Sequence, residues 1–301
     1  MHVLTGRVWP AMFTPLDASG EPNLRAVERL VDLFAEQQLG GLFILGTTGQ
    51  GLLLNFDERR RVAERVVEAS AGRIAIMVHI GALATRDAVA LARHAAEIGA
   101  DAVSSVPPIY YPTSTEATFE HYRALGAATD LPFFPYHAAF LRQSLPGPAE
   151  YAERLLEIPH IAGMKFTDHD LYLLGLLHHN TSGRLHIFSG ADELLCHAAM
   201  SGAVGAVGTF YNQWGPACQR ARAAFVGGDF DAGRRFMLAF QQVIHRVLSS
   251  GSMWAFHRAS MQLKYDIDIG PPRQPLAMTE RSWDDAEVER LLETVETAAP
   301  R

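Results

Sequence analysis

The chain carries 24 arginines but only two lysines, Lys165 and Lys264. Lys165 lies inside the apolar run IAGMKFT, where an unpaired ammonium would be costly to bury and where the neutral amine, if formed, can attack a carbonyl. Two readings fit such a residue: an imine-forming nucleophile, or one half of a buried ion pair with Asp168 or Asp170 nearby in sequence. The scarcity of lysine favours the nucleophile. Tyr136, closing the run PFFPY, can relay a proton between an amine, a carbinolamine and a hydroxyl, or simply line a core. Thr47 and Thr48, within GTTGQG, can turn hydroxyls and backbone N–H groups toward an anion. That run has no Gly-Lys-Ser/Thr ending, so a nucleotide-phosphate loop is not expected. Asp192 and Glu193 read either as ligand-gripping carboxylates or as residues opening a helix, where the dipole favours them. No His or carboxylate cluster has metal-ligand spacing, and Lys264, in the late helical region, reads as a surface or interface charge.

The elements needed to position these groups are legible in the hydrophobic pattern. Apolar or β-branched runs at 8–13, 42–45, 74–80, 102–106, 132–136, 161–166, 185–189 and 203–208 alternate with helical patterns. The helices are expected from about residue 23 and over 57–70, 85–98, 115–128, 148–157, 168–178, 192–200 and 216–225. Runs that are apolar throughout, rather than alternating, belong to strands buried on both faces of a parallel sheet. Eight such units predict an α/β fold, a (β/α)8 TIM barrel over 1–227. The segment 228–301, with three more helical patterns, is expected as a C-terminal helical extension of the same domain. In such barrels the site lies at the C-terminal strand ends, which is where Thr47-Thr48, Tyr110, Tyr136, Lys165, Thr167, Asp192-Glu193 and Thr209 fall.

With 301 residues, a net charge of −7 and no basic cluster, nucleic acid and anionic membranes are not expected partners. The longest apolar runs fall far short of the roughly 20 residues of a membrane span. The N-terminus has no signal pattern, and Cys196 and Cys218 form no disulfide or zinc pattern. A cytoplasmic protein with reduced thiols is the expectation.

GTTGQ after strand 2, PPIYYP after strand 4, the tyrosine ending strand 5 and the lysine of GMKFT together resemble the Schiff-base pyruvate aldolases. This is the N-acetylneuraminate lyase and dihydrodipicolinate synthase superfamily, and the likeness extends over nearly the whole chain. KFTDHDLYLL, SGADELL and GTFYNQWG look like the N-acetylneuraminate lyase branch, as does the YHxxxL pattern from Tyr136 to Leu141.

The resemblance implies that Lys165, Tyr136 and Tyr110 are catalytic, with Tyr110 expected near Tyr136 in a proton relay, in its own or a neighbouring subunit's site. It implies that Thr47 and Thr48 hold a pyruvate carboxylate, and that Thr167, Gly190, Asp192, Glu193 and Thr209 contact the rest of a 2-oxo-3-deoxy sugar acid. It implies no cofactor, because the iminium is itself the electron sink, and a homotetramer acting on small molecules alone.

Dihydrodipicolinate synthases place an arginine where this chain has Leu141, with Arg142 one step on, which argues against that activity. Gln50 replaces the usual loop glutamate, Ala138-Ala139 stands where a proline is common, and the stretch 138–144 is atypical. These departures bear on the aldehyde half of the substrate. The alternatives are a 2-keto-3-deoxy sugar acid aldolase or dehydratase, dihydrodipicolinate synthase, and a catalytically silent sugar-acid-binding paralogue.

Overall fold

The computed structural model describes residues 4, 6–111, 113–139 and 146–301. Leu141 and Arg142, on which the dihydrodipicolinate comparison turns, lie outside the described residues, as does most of the 138–144 stretch. Strands and helices alternate in chain order: β1 (Val8–Pro10), α1 (Leu24–Glu36), β2 (Leu42–Ile44), α2 (Phe56–Ser70), β3 (Ile76–His79), α3 (Thr85–Glu97), β4 (Ala102–Ser105), α4 (Thr115–Gly126), β5 (Phe133–Ala138) and α5 (Pro148–Leu156). Then come β6 (Gly163–Thr167), α6 (Leu171–Asn180), β7 (His186–Ser189), α7 (Leu195–Met200), β8 (Gly205–Gly208) and α8 (Tyr211–Val226). All pairings are parallel in the order β1-β8-β7-β6-β5-β4-β3-β2, and a parallel bridge from Ala11 to Phe43 joins the two ends. The expected (β/α)8 barrel is the observed fold.

Local chemistry explains the helix starts. Asn23 caps α1 by accepting from the Ala26 N–H. Asn55 and Glu58 form a reciprocal capping box on α2. Asp170 caps α6, which therefore begins at Leu171 rather than at the expected 168. α8 begins five residues before the expected Pro216, because a first helical turn from Tyr211 runs on across a kink at Trp214, with Pro216 just beyond it.

Two apolar layers result. Trp9, Phe43, Met77, Phe134, Tyr136, Phe188 and Val207 fill the barrel interior. The larger layer, including Val103, Phe133, Met164, Phe166 and Ile187, packs between sheet and helices. Successive residues of β5 and β6 thus alternate between interior and helix layer, although both strands read as apolar throughout.

Beyond α8, α9 (Phe230–Ser249), α10 (Met253–Tyr265) and α11 (Asp285–Ala298) form the three helices of the C-terminal segment. Trp214 donates to the Leu292 carbonyl, joining α8 to α11. Lys264, expected as a surface or interface charge, is instead half-buried within the fold: its Nζ donates to the Gln213 carbonyl at 2.7 Å and to Glu296 at 2.5 Å. Among the described residues, no helix is long and apolar enough to cross a membrane.

Candidate active site

The inward alternation of β5 and β6 brings Lys165 and Tyr136 together. The two are register partners across the sheet, with Phe188 opposite Lys165 on the other side. Lys165 is 5% exposed, and its Nζ lies 4.1 Å from the Tyr136 ring centroid and 4.3 Å from that of Phe43. These two aromatic faces fix the position of the side-chain nitrogen. The ion-pair alternative fails on geometry. The Asp168 carboxylate accepts from His137 Nε2 at 3.0 Å, and Asp170 accepts from the Leu173 N–H at the start of α6.

The Thr167 hydroxyl, at the end of β6, donates to the Tyr136 phenol oxygen at 3.4 Å. Its approach requires glycine at 190, since a Cβ there would come 1.9 Å from Thr167 Oγ1 and 3.2 Å from Lys165 Cε. Gly190→Ala is therefore expected to lower activity at least about tenfold, with a stability loss of about 1–3 kcal/mol from overpacking. Steady-state assay and thermal melting check the two effects.

The loop after β2 is tightly wound. Leu45 and Gln50 both have positive φ, and a Cβ at Gly51 would lie 1.8 Å from the Leu45 carbonyl oxygen. This winding turns Thr48 inward, where its hydroxyl lies 2.7 Å from that of Thr209 at the end of β8. Thr47 is exposed, whereas Thr48 is buried. Tyr110 is 75% exposed and packs edge-on against Tyr111 with centroids 5.1 Å apart.

Asp192 opens a short 3-10 turn but does not cap it. Its Oδ2 accepts from the Phe210 N–H at 2.7 Å, just beyond the neighbouring strand β8, while Oδ1 is buried and has no partner among the described residues. Glycine is needed at 208, where a Cβ would lie 1.7 Å from that Oδ1. Burial pushes the Asp192 carboxyl up to about 7, against the Phe210 N–H and the Lys165 charge, which pull it down. The folded chain then holds a proton that the unfolded chain has lost between about pH 4 and 7. Stability from this group is full below that window and falls as pH rises through it, by up to about 4 kcal/mol. Asp192→Asn keeps an acceptor for Phe210 and lacks the titration, so its denaturant midpoint is expected to exceed that of the parent at pH 8 and converge near pH 4.

Glu193 accepts from His169 Nε2 at 2.7 Å, and its carbonyl accepts from Gln241 of α9. Beside them a cavity of about 260 Å³ is lined by Ala139, Thr167, Asp168, Gly190, Glu193 and their neighbours. Sequence reasoning gives His137, Asp168 and His169 no place in this site. His137 stacks on Phe166 at 4.5 Å in the helix layer; burial holds its imidazole below the usual range despite Asp168. Burial raises the Asp168 carboxyl, but the His137 and backbone donors outweigh it and hold it low. The D-x-D spacing after Lys165 is the available signal, and proximity along the chain points it to the wrong partner. Among the described residues, no group of three or more His, Cys, Asp or Glu side chains is placed to hold a metal ion.

One buried amine, a phenol beside it and a hydroxyl-bearing loop at the C-terminal mouth of a (β/α)8 barrel define a carbon–carbon lyase of the Schiff-base class. The chain belongs to the dihydrodipicolinate synthetase family, whose model matches residues 4–294. It is 34% identical over 291 residues to an N-acetylneuraminate lyase of Homo sapiens, covering 93% of this chain and 90% of that one. An N-acetylneuraminate lyase of Rhizobium meliloti is 30% identical over 288 residues, covering 96% and 93%. The solved N-acetylneuraminate lyase of Proteus mirabilis superposes with a TM-score of 0.86 at 29% identity, covering 97% and 98% of the two chains.

Proposed function

We propose that this enzyme is a pyruvate-dependent class I aldolase that cleaves an N-acetylneuraminate-like 2-oxo-3-deoxy sugar acid to pyruvate and an aldehyde. The observation that carries the reading is the buried Lys165 amine held against Tyr136 at the barrel mouth. The amine attacks the C2 ketone, and loss of water gives an iminium ion. The Tyr136 phenol gives its proton to the departing carbinolamine hydroxyl, which leaves as water. As phenolate it then accepts the C4 hydroxyl proton while the C3–C4 bond breaks, its electron pair flows to the iminium nitrogen to leave an enamine, and the aldehyde departs. Protonation at C3 and hydrolysis of the imine release pyruvate and restore the amine. No cofactor is required, because the iminium nitrogen receives the electrons.

Thr47 and Thr48 are assigned to the pyruvate carboxylate, with Thr48 best placed by its contact with Thr209. Thr167, Gly190, Asp192, Glu193 and Thr209 are assigned to the aldehyde half; the cavity beside Thr167, Gly190 and Glu193 supports this. The lack of a partner for Asp192 Oδ1 among the described residues supports a polar contact there with a substrate hydroxyl. Tyr110 is assigned to the proton relay of a neighbouring copy in a homotetramer, a reading supported by the exposure of Tyr110 and Tyr111. Two buried free cysteines suit the cytoplasm.

A pyruvate-release assay across N-acetylneuraminate and several 2-keto-3-deoxy sugar acids tests the reading. N-acetylneuraminate is expected to give the highest kcat/KM. Faster cleavage of a shorter sugar acid would reassign the substrate. Failure to gain covalent mass from pyruvate and borohydride would leave only a sugar-acid-binding role.

A further inference from the structure

The loop that presents Thr48 is held from outside the barrel. Thr14 Oγ1 donates to the Gly49 carbonyl at 2.7 Å, on the β1 side. On the other side the buried Gln50 side chain accepts, through Oε1, the Arg273 backbone N–H at 2.6 Å. Arg273 belongs to the segment between α10 and α11, more than 220 residues further along the chain. Its guanidinium makes a two-pronged ion pair with Glu58 of α2, at 2.7 and 2.8 Å, and also donates to the carbonyls of Leu53 and Gly20. The Glu58 side chain is 3% exposed, and the same carboxylate accepts the Asn55 N–H that starts α2. A bidentate, largely buried pair fixes orientation as well as position. One arginine therefore joins the loops after β1 and β2 and the helix that follows, and its own N–H fixes Gln50, two residues from Thr48.

We propose that Arg273 and Gln50 are positioning residues for the pyruvate carboxylate, so that the C-terminal segment sets the affinity of the imine-forming half-site. This rests on the function proposed above. Lys165 and Tyr136 sit on β6 and β5, away from this clamp, so loosening it displaces Thr48 without disturbing the amine or the phenol. The effect should appear in the pyruvate concentration needed for half-maximal imine formation, and not in the rate once pyruvate saturates.

Borohydride trapping on Lys165 as a function of pyruvate concentration reads this directly. Gln50→Ala keeps the Arg273–Glu58 pair and removes only the tie to the loop. The half-saturating pyruvate concentration is expected to rise about tenfold, with the saturated trapping rate within about threefold of the parent. Gln50→Glu, whose carboxylate still accepts the Arg273 N–H, should restore the parent value. Arg273→Lys keeps the backbone N–H but loses the fork on Glu58, and should fall between them. Unchanged half-saturation in both Gln50→Ala and Arg273→Lys would overturn the proposal, as would equal losses in affinity and saturated rate. Absence of trapping in the parent enzyme would instead overturn the proposed function, so the two failures are distinguishable.

Discussion

Replacing Lys165 with methionine is expected to abolish turnover, by a factor on the order of 10^4 or more, and to leave no covalent mass gain after pyruvate and borohydride. No other group among the described residues can substitute. The second lysine, Lys264, lies in α10 and is held by Gln213 and Glu296. Methionine keeps the bulk of the hydrocarbon stem against Phe43 and Tyr136, so the fold is retained and the loss reports on chemistry. Intact-mass spectrometry after reduction and a far-UV melt check the two halves of the expectation. A trapped adduct in the variant would place the nucleophile elsewhere.

Removing the phenol oxygen should separate the two chemical steps. Tyr136→Phe keeps the ring that packs on Phe43 and His79 and faces the Lys165 amine. Only the hydroxyl near Thr167 disappears. Loss of a positioned proton acceptor costs about 10^2 to 10^4 in rate. The expected result is a fall of that size in kcat for cleavage, with pyruvate still trapped on Lys165 at long incubation. A kcat within about threefold of the parent would remove Tyr136 from the proton path. Loss of trapping altogether would assign it to imine formation instead.

The clamp proposed for Arg273 and Gln50 differs from both of these, because it predicts a change in affinity with the chemical groups untouched. It also moves the Gln50 departure from the aldehyde half, where the sequence reading put it, to the loop that presents Thr48. The backbone N–H of Arg273 needs an acceptor, and an amide oxygen supplies one as well as a carboxylate would.

The sequence alone determined the architecture, because alternating elements with strands apolar on both faces leave few solutions besides a closed parallel barrel. It also singled out Lys165, since a rare lysine in an apolar strand end has few inexpensive explanations. It did not determine which way each side chain faces. A strand apolar throughout has no period-two signature, so the inward alternation that gathers Tyr136 and Lys165 while sending His137 and Phe166 to the helix layer became visible only in the barrel. Thr47 and Thr48 were equivalent in sequence, and only the folded loop buries Thr48 against Thr209 while leaving Thr47 exposed. Asp168 and Asp170 were plausible partners for Lys165 by proximity along the chain, but the end of β6 turns them toward His137 and the start of α6. Arg273 had no signal at all: its partners lie more than 200 residues away, and only folding the C-terminal segment across the barrel mouth brings them together.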